Sequence, residues 1–169
     1  ARDLSQVVTE VLDGVLVVNV PNKSYEPMVL DIAVPTLSLI RAVGACSIDN
    51  EHANVLIADN LTIDLAGAAE ADLDLQVKTL TVDAKGAASL DLSGEADNVT
   101  ITVAGAGDVD AEALITQIMH INCAGASEAD IYVTKELWAQ AAGASKISYK
   151  GNPRIKQSIA VGGSLIEKD

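Results

Sequence analysis

The sequence has very few aromatic residues. Phenylalanine is absent, and aromatic residues make up 2% of the 169 positions although 49% are hydrophobic. The core must therefore be built from Ala, Val, Leu and Ile, which suits a narrow interior. A chain of this length and apolar content can form one continuous core, so we expect a single domain over residues 1–169.

Long apolar runs and signal sequences are missing as well. No run reaches the 18 or so apolar residues that a membrane-spanning helix needs, so we expect no membrane span in this chain. No signal-peptide pattern opens the chain, which fits a mature exported protein and a cytosolic protein equally well.

Positive charge is scarce. Eleven Lys and Arg residues stand against 24 Asp and Glu, a net charge of −13, so the chain lacks the basic surface that nucleic-acid binding requires. Residues 1–134 hold 5 basic and 21 acidic residues, whereas residues 135–169 hold 6 basic and 3 acidic. Lys146, Lys150, Arg154 and Lys156 in this basic end either keep an open sheet edge from pairing or meet an acidic flank of a second copy in a homo-oligomer.

What the chain does contain is a repeat. Seven glycines recur at intervals of 23, 19, 19, 20, 18 and 19 residues. Apolar residues stand six, four and two positions before most of these glycines, and this alternation predicts strands. One strand pattern repeated at this interval predicts a stacked array. The glycines are Gly44, Gly67, Gly86, Gly105, Gly125, Gly143 and Gly162.

A tight corner follows each glycine. Alanine comes next in six of the seven repeats, and a second apolar column begins three to four residues later. A small pair lets the chain turn without striking its copy in the next coil, about 4.8 Å away. Helical repeats need longer units with a 3.6-residue period. The sequence therefore predicts an all-β fold, a parallel β-helix (solenoid) of about six to seven rungs of 18–23 residues over residues 37–169.

The first 36 residues do not follow the repeat. Val7–Leu12 and Val15–Val20 are two β-rich runs, and the Asp13-Gly14 pair between them favours a type I′ hairpin. Met28–Val34 predicts a third strand, which Pro35 ends. We expect residues 1–36 to form a hairpin and lead-in strands that cap the solenoid.

The last rung departs from the pattern. Asn152-Pro153 follows the last regular strand, and Ile159 and Val161 are in phase with Gly163 rather than with Gly162. We therefore expect a terminal rung of different shape.

Cysteine and histidine are too few to favour a thiol nucleophile. Cys46 and Cys123 lie about four rungs apart, too far for a disulfide, and we interpret both as small core residues. The only histidines are His52 and His120. His120 precedes Cys123 by three residues, so in a strand their side chains point to opposite faces. No catalytic residue is predicted.

An aspartate stands five residues after each of five successive glycines. Because these carboxylates flank the inward apolar column, they should point outward and stack about 4.8 Å apart. Charges at this spacing repel, so the ladder is either a solvated acidic face with no cofactor or a site for Ca²⁺, which takes oxygen ligands. The aspartates are Asp49, Asp72, Asp91, Asp110 and Asp130, of which the last four are the candidate metal ligands.

A second outward column ends in two aromatic rings. Threonines stand five residues before three successive glycines, and His120 and Trp138 continue that column, so imidazole should stack on indole. Together with Tyr132 and Tyr149, nearby in sequence, they form a candidate binding site for a surface glycan or a protein. The alternative is that Trp138 only covers the C-terminal rungs.

Several short motifs carry a resemblance to a known family. They are Leu12-Asp13-Gly14-Val15-Leu16, Val34-Pro35-Thr36-Leu37, the corner Gly105-Ala106-Gly107-Asp108-Val109, and the closing Tyr149-Lys150-Gly151-Asn152-Pro153. With them the chain resembles the "putative auto-transporter adhesin, head GIN domain" family, common in Bacteroidetes, over essentially its whole length. The resemblance implies a right-handed parallel β-helix, export to the cell surface or periplasm, and an adhesive role. Because members have a further strand region before the point where this chain begins, we expect an N-terminal strand region to be missing.

Two function classes remain. The first is a non-catalytic surface or periplasmic module that presents a rigid face for adhesion or self-assembly. The second is a β-helix carbohydrate-active enzyme on polysaccharide, for which Asp110, Glu112 and Asp130 could supply a pair of carboxylates. Acidic residues also continue above and below these three, so no pair is singled out, and the non-catalytic module is the prediction.

Overall fold

The computed structural model describes residues 7–20, 29–50 and 54–169, and every regular element within them is a β-strand. The chain divides into two compact units, Ala1–Val34 and Pro35–Asp169. Nowhere in the described ranges does a helix form that could cross a membrane.

The first unit contains the predicted hairpin. Strands β1 (Val8–Leu12) and β2 (Val15–Asn19) pair in antiparallel register. Asp13 has φ of 50° and Gly14 has φ of 80°, the two positive values that a type I′ turn requires, so this prediction is confirmed. That the hairpin caps the solenoid stays a prediction.

The predicted third strand at Met28–Val34 is wrong over the described residues 29–34. No strand forms there, and Val29, Leu30, Ile32 and Val34 are exposed. The apolar run satisfies the local strand signal, but a strand also needs a neighbour for its backbone groups, and none of the described strands pairs with this run. Met28 itself lies outside the described residues.

The second unit is a parallel β-solenoid of about seven turns, as the repeat predicts. Successive coils pair in parallel and nearly residue for residue along the chain. The strands are β3 (Leu39–Gly44), β4 (Ser47–Asp49), β5 (Leu56–Gly67), β6 (Glu70–Gly86), β7 (Ser89–Gly105), β8 (Asp108–Gly125), β9 (Glu128–Gly143), β10 (Lys146–Gly151), β11 (Arg154–Gly162) and β12 (Leu165–Lys168).

The seven glycines stack on one another at one corner of the coil. Each has a positive φ, and each pairs in register with the glycine of the next coil. After the turn, the alanine N–H donates to the glycine carbonyl of the preceding coil, for example Ala87 to Gly67 at 2.8 Å. The corner thus continues the sheet ladder around the turn.

The core is the predicted set of inward columns. The residues that stand six positions before the corner glycine are no more than 1% exposed; they are Leu61, Leu80, Val99, Met119 and Leu137. The alternation of burial along β6 to β9 places the intervening residues outside. Because the columns are filled mostly by Ala, Val, Leu and Ile, the interior is narrow and the outer surface carries almost all of the polar side chains.

The last rung keeps the phase of Gly162, not of Gly163 as the sequence suggested. Gly162 pairs with Gly143, and a register shift between Ile155 and Gln157 absorbs one residue. Ile159 and Val161 therefore pair with the outward Gln140 and Ala142, and they are 44% and 53% exposed. The alternation of apolar residues correctly predicts a strand, but the bulge turns Ile159 and Val161 away from the core.

Candidate functional site

The aspartate ladder forms as predicted. Asp49, Asp72, Asp91, Asp110 and Asp130 pair in register in five successive coils, and Ser148 continues the column. The first four are exposed and Asp130 is half-buried. We call this outward surface, with Glu70, Ser89, Asp108 and Glu128 beside it, the acidic face.

Only the C-terminal end of the acidic face gathers several carboxylates. Across the described ranges, Glu112, Asp130 and Asp169 are the one group of three acidic side chains whose oxygens lie within 4.8 Å of one another. Burial raises the pKa of the Asp130 carboxyl above its ordinary value. The Lys150 ammonium lies 2.6 Å from a Glu112 oxygen and supplies positive charge to this cluster. Ca²⁺ binding by Asp72, Asp91, Asp110 and Asp130 stays a prediction.

The predicted aromatic stack forms on the opposite half of the coil. The His120 and Trp138 rings lie 4.2 Å apart at an interplanar angle of 9°. The Lys156 ammonium lies 5.8 Å from the centre of the indole and pairs with Glu136 at 3.1 Å. Since His120 belongs to the coil before Trp138 and Lys156 to the coil after it, both faces of the indole are engaged within the molecule and its edge is left for a partner.

The two tyrosines do not join this stack. Tyr132 alternates with buried residues on β9 and pairs with Lys150, on the same side of the sheet as Asp130. Tyr149 pairs with Ile131 of the inward column and packs against the core. The four aromatic candidates thus divide among three environments, and their role in binding stays a prediction.

Three outward columns next to the His120–Trp138 stack, at five, three and one residues before the corner glycine, carry no charged residue in the C-terminal coils. Four consecutive coils contribute three outward positions each, and none is Asp, Glu, Lys or Arg, in a chain with 24 acidic residues. In the same three columns, charged pairs lie towards the first coils, at Arg41–Asp64 and Lys85–Asp83, and the Lys156–Glu136 pair borders the columns beside Trp138. We call this surface the uncharged face; it comprises Thr100, Thr102, Ala104, His120, Asn122, Ala124, Trp138, Gln140, Ala142, Gln157, Ile159 and Val161.

A groove that the sequence analysis missed crosses β5 to β8 on a third side of the coil. Its volume is about 660 Å³. Its walls carry Gln76, Glu95 and Gln117, and exposed Ile57 and Ile115 lie on its first and last strands. We call this concavity the ladder groove.

One wall of the ladder groove carries a row of charged side chains and one amide, and the row continues beyond the groove to Lys135. Lys78 Nζ lies 2.7 Å from Asp59 Oδ1, Gln117 Nε2 donates to Asp97 Oδ1 at 2.6 Å, and Lys135 Nζ donates to Gln117 Oε1 at 2.6 Å. We call these five residues the mixed ladder. Each stands eight positions before the corner glycine of its coil, so the alignment that reveals the aspartate ladder also contains this one.

The basic C-terminal end is largely neutralised within the molecule. Lys146 lies within 3.4 Å of Glu128 and 3.2 Å of Glu167, and Lys150 and Lys156 have the acidic partners given above. These lysines thus form ion pairs within the molecule. Charge-driven association with a second copy stays a prediction.

The two cysteines differ in exposure, which corrects the sequence interpretation of Cys46. Cys123 is fully buried, as predicted, but Cys46 is exposed. Cys46 stands on the first described coil of the solenoid, whereas its counterparts Ala69 and Ala88 lie between described coils and are buried. His120 is exposed while Cys123 is buried, so they face opposite sides as expected, and His52 lies outside the described residues.

We expect thiol labelling to distinguish these cysteines. Burial raises the pKa of the Cys123 thiol to about 11, so that thiol is both shielded and protonated at pH 8. Iodoacetamide should add one group to the native protein, at Cys46, and two groups in denaturant, counted by intact-mass spectrometry. Two adducts on the native protein would contradict the buried position of Cys123.

Similar proteins were found by family and by structure. A family model described as "putative auto-transporter adhesin, head GIN domain" matches residues 1–153. A solved structure described as a "putative adhesin" from Bacteroides fragilis is similar with a TM-score of 0.87 and 26% sequence identity, covering 98% of this chain and 77% of that one.

A second solved structure shows the same fold. It is described as a "putative lipid binding protein" from Parabacteroides distasonis, with a TM-score of 0.71 and 20% identity, covering 98% of this chain and 79% of that one. No curated protein matches the chain.

Proposed function

Because the chain belongs to the "putative auto-transporter adhesin, head GIN domain" family, we propose that it is a non-catalytic adhesion module that works outside the cytoplasm and contacts its target through the uncharged face. The observation that carries the proposal is the absence of charged side chains at twelve neighbouring outward positions of a chain with a net charge of −13.

The distribution of charge supports this choice of face. Charged residues are depleted at the centres of protein interfaces because their desolvation is costly, and aromatic residues are enriched there. The acidic face has the opposite character, since its aspartates keep their water and repel other molecules of the same chain. Of these two faces, the uncharged face is thus the one that loses its water at lower cost.

The scaffold supports adhesion by its rigidity. The side chains of the uncharged face stand on the paired strands β7, β8, β9 and β11, and most of them are short. A surface of short side chains on a continuous sheet loses little conformational entropy when it is covered. The face is therefore prepared for contact without rearrangement.

The carboxylate geometry supports the non-catalytic part of the proposal. A glycosidase needs two carboxyl groups on either side of a sugar in a cleft. Glu112 and Asp130, which belong to the carboxylate cluster described above, lie outside the ladder groove, and Glu112 is paired with Lys150. Hydrolysis of polysaccharide is the less supported alternative.

We expect a single charge on the uncharged face to impair adhesion. Asn122 lies at the centre of the face, between Thr102 and Gln140, and Asn122→Glu would place an unpaired carboxylate in the contact. Binding to immobilised mucin and extracellular-matrix proteins, measured by biolayer interferometry, should weaken at least about tenfold, which corresponds to about 1.4 kcal/mol.

Ser89→Glu is the matched control. Ser89 is an exposed strand residue between Glu70 and Asp108 on the acidic face, so the substitution adds the same charge away from the proposed contact. Its binding should stay within about twofold of the wild type. Equal losses in both variants, or no binding by the wild type to any of these surfaces, would contradict the proposal.

A further inference from the structure

The ladder groove has the size and composition of a ligand site. Its volume of about 660 Å³ lies within the usual range for ligand pockets, about 300–1,000 Å³. The buried Val77 and Ala96 contribute to its lining, and polar side chains from several coils surround them. It lies on a different side of the coil from the uncharged face, so it is independent of the adhesion surface proposed above.

The polar side chains of the groove are ordered but accessible. The contacts of the mixed ladder join consecutive coils, so each side chain is held by its neighbour. The Lys78 and Asp59 side chains remain 70% and 74% exposed, and so exposed an ion pair adds little to stability. Their exposure leaves the Lys78 and Asp59 charges accessible to a ligand.

The inner strands of the groove have little free backbone. At the groove β6 and β7 are paired on both sides, so their N–H and C=O groups are already used in the sheet. Among the described strands, β5 pairs only with β6 over residues 56–60, so addition of a partner strand is confined to that edge and cannot extend across the groove. A ligand that crosses successive coils must therefore be recognised there by side chains.

The side chains favour a ligand rich in hydroxyl groups. Carboxylates only accept hydrogen bonds, ammonium groups only donate, and amides do both, so a hydroxyl, which donates and accepts, can bridge neighbouring members of the ladder. Polar groups of differing kinds recur at each coil, about 4.8 Å apart, which suits an extended ligand that crosses several coils. The exposed faces of Ile57 and Ile115 suit the C–H face of a sugar ring.

The charge of the lining selects against acidic ligands. Three carboxylates line the groove, Asp59, Glu95 and Asp97, against the single ammonium of Lys78. A uronic acid or sulfated chain would meet a net repulsion there. From these features together we propose that the ladder groove binds an uncharged oligosaccharide that lies across successive coils.

Isothermal titration and NMR shift mapping with defined oligosaccharides test this inference. The probes are neutral hexasaccharides of glucose, mannose and N-acetylglucosamine, with hexagalacturonate as the acidic counterpart. We expect at least one neutral probe to bind and to shift the side-chain amide signals of Gln76 and Gln117, and we expect the acidic probe not to bind.

Two amide variants locate the binding. Gln117→Ala removes the amide that joins Asp97 to Lys135, and affinity for the neutral probe should fall at least tenfold. Asn152→Ala is the matched control, since the exposed Asn152 amide also accepts from a lysine, Lys168 at 3.4 Å, but belongs to neither the ladder groove nor the uncharged face. It should leave oligosaccharide affinity unchanged.

The inference would be overturned if no neutral probe binds, if the acidic probe binds as well, or if Gln117→Ala binds like the wild type. If Gln117→Ala folds poorly, the wild-type protein still tests the site, because a bound probe that leaves the Gln76 and Gln117 amide signals unshifted would also overturn the inference. Failure here would leave the effect of Asn122→Glu on adhesion untouched, so the two proposals fail separately.

Discussion

Replacing Gly125 with alanine should destabilise the solenoid by about 3 kcal/mol or more. Gly125 has a φ of +109°, which costs an L-residue of order 1–3 kcal/mol. An added Cβ would also lie 2.2 Å from the carbonyl oxygen of Gly105 in the preceding coil, so the corner backbone must shift. Because neighbouring coils share this corner, the strain would reach the pairing of β7, β8 and β9.

Gly44→Ala separates the two causes. Gly44 occupies the same corner in the first described coil with a φ of +104°, but nothing lies within 4 Å of an added Cβ. Gly44→Ala should therefore lower the free energy of unfolding only by the cost of a positive φ for alanine, about 1 kcal/mol. Urea unfolding followed by far-UV circular dichroism measures both. If Gly125→Ala and Gly44→Ala lowered the free energy of unfolding equally, the close contact between stacked glycines would not be the reason for glycine at this corner.

Removing side-chain volume from the interior should have a similarly large effect. Ile101 is fully buried at the middle of an inward column, between Val82 and Ile121. Ile101→Ala leaves a cavity that the stacked coils cannot close, and we expect a loss of about 2–5 kcal/mol in the free energy of unfolding.

Ile159→Ala is the control for this prediction. Ile159 is the same residue type in the last rung, but the register shift turns it outward and leaves it 44% exposed. Its truncation should cost less than about 1 kcal/mol. If Ile159→Ala were as destabilising as Ile101→Ala, Ile159 would lie inside the coil, as the phase of Gly163 suggested, and the register of β11 would be wrong.

The repeat made the solenoid predictable from sequence. Aligning the chain on its corner glycines placed the inward columns correctly from Leu61 to Ile147, because in a parallel stack one glycine per coil also sets the strand register. The type I′ turn at Asp13-Gly14 was predictable for a similar reason, since both positive φ values are local requirements.

The wrong sequence predictions concern residues whose structure depends on an adjacent strand or coil. Val29–Val34 has a strand-like pattern but lacks a pairing strand among the described residues. Cys46 has the sequence environment of a core residue but stands on the first described coil. The phase of Ile159 was set by a bulge two to four residues earlier, which no local signal marks.

The candidate site was predictable in part. The aspartate ladder and the His120–Trp138 stack follow from the column alignment. The mixed ladder lies in an equally regular column, but its residue types differ from coil to coil, so it does not stand out without the contact of Gln117 with Asp97. The environments of Tyr132 and Tyr149 required the pairing of β9 with β10.

The most direct test of the proposed function compares wild type, Asn122→Glu and Ser89→Glu in one adhesion experiment on immobilised mucin and matrix proteins. All three should show the same circular dichroism, because both substitutions are at exposed positions. The proposal predicts that only Asn122→Glu loses binding, by about tenfold or more. Full binding by Asn122→Glu would show that the uncharged face is not the adhesive surface.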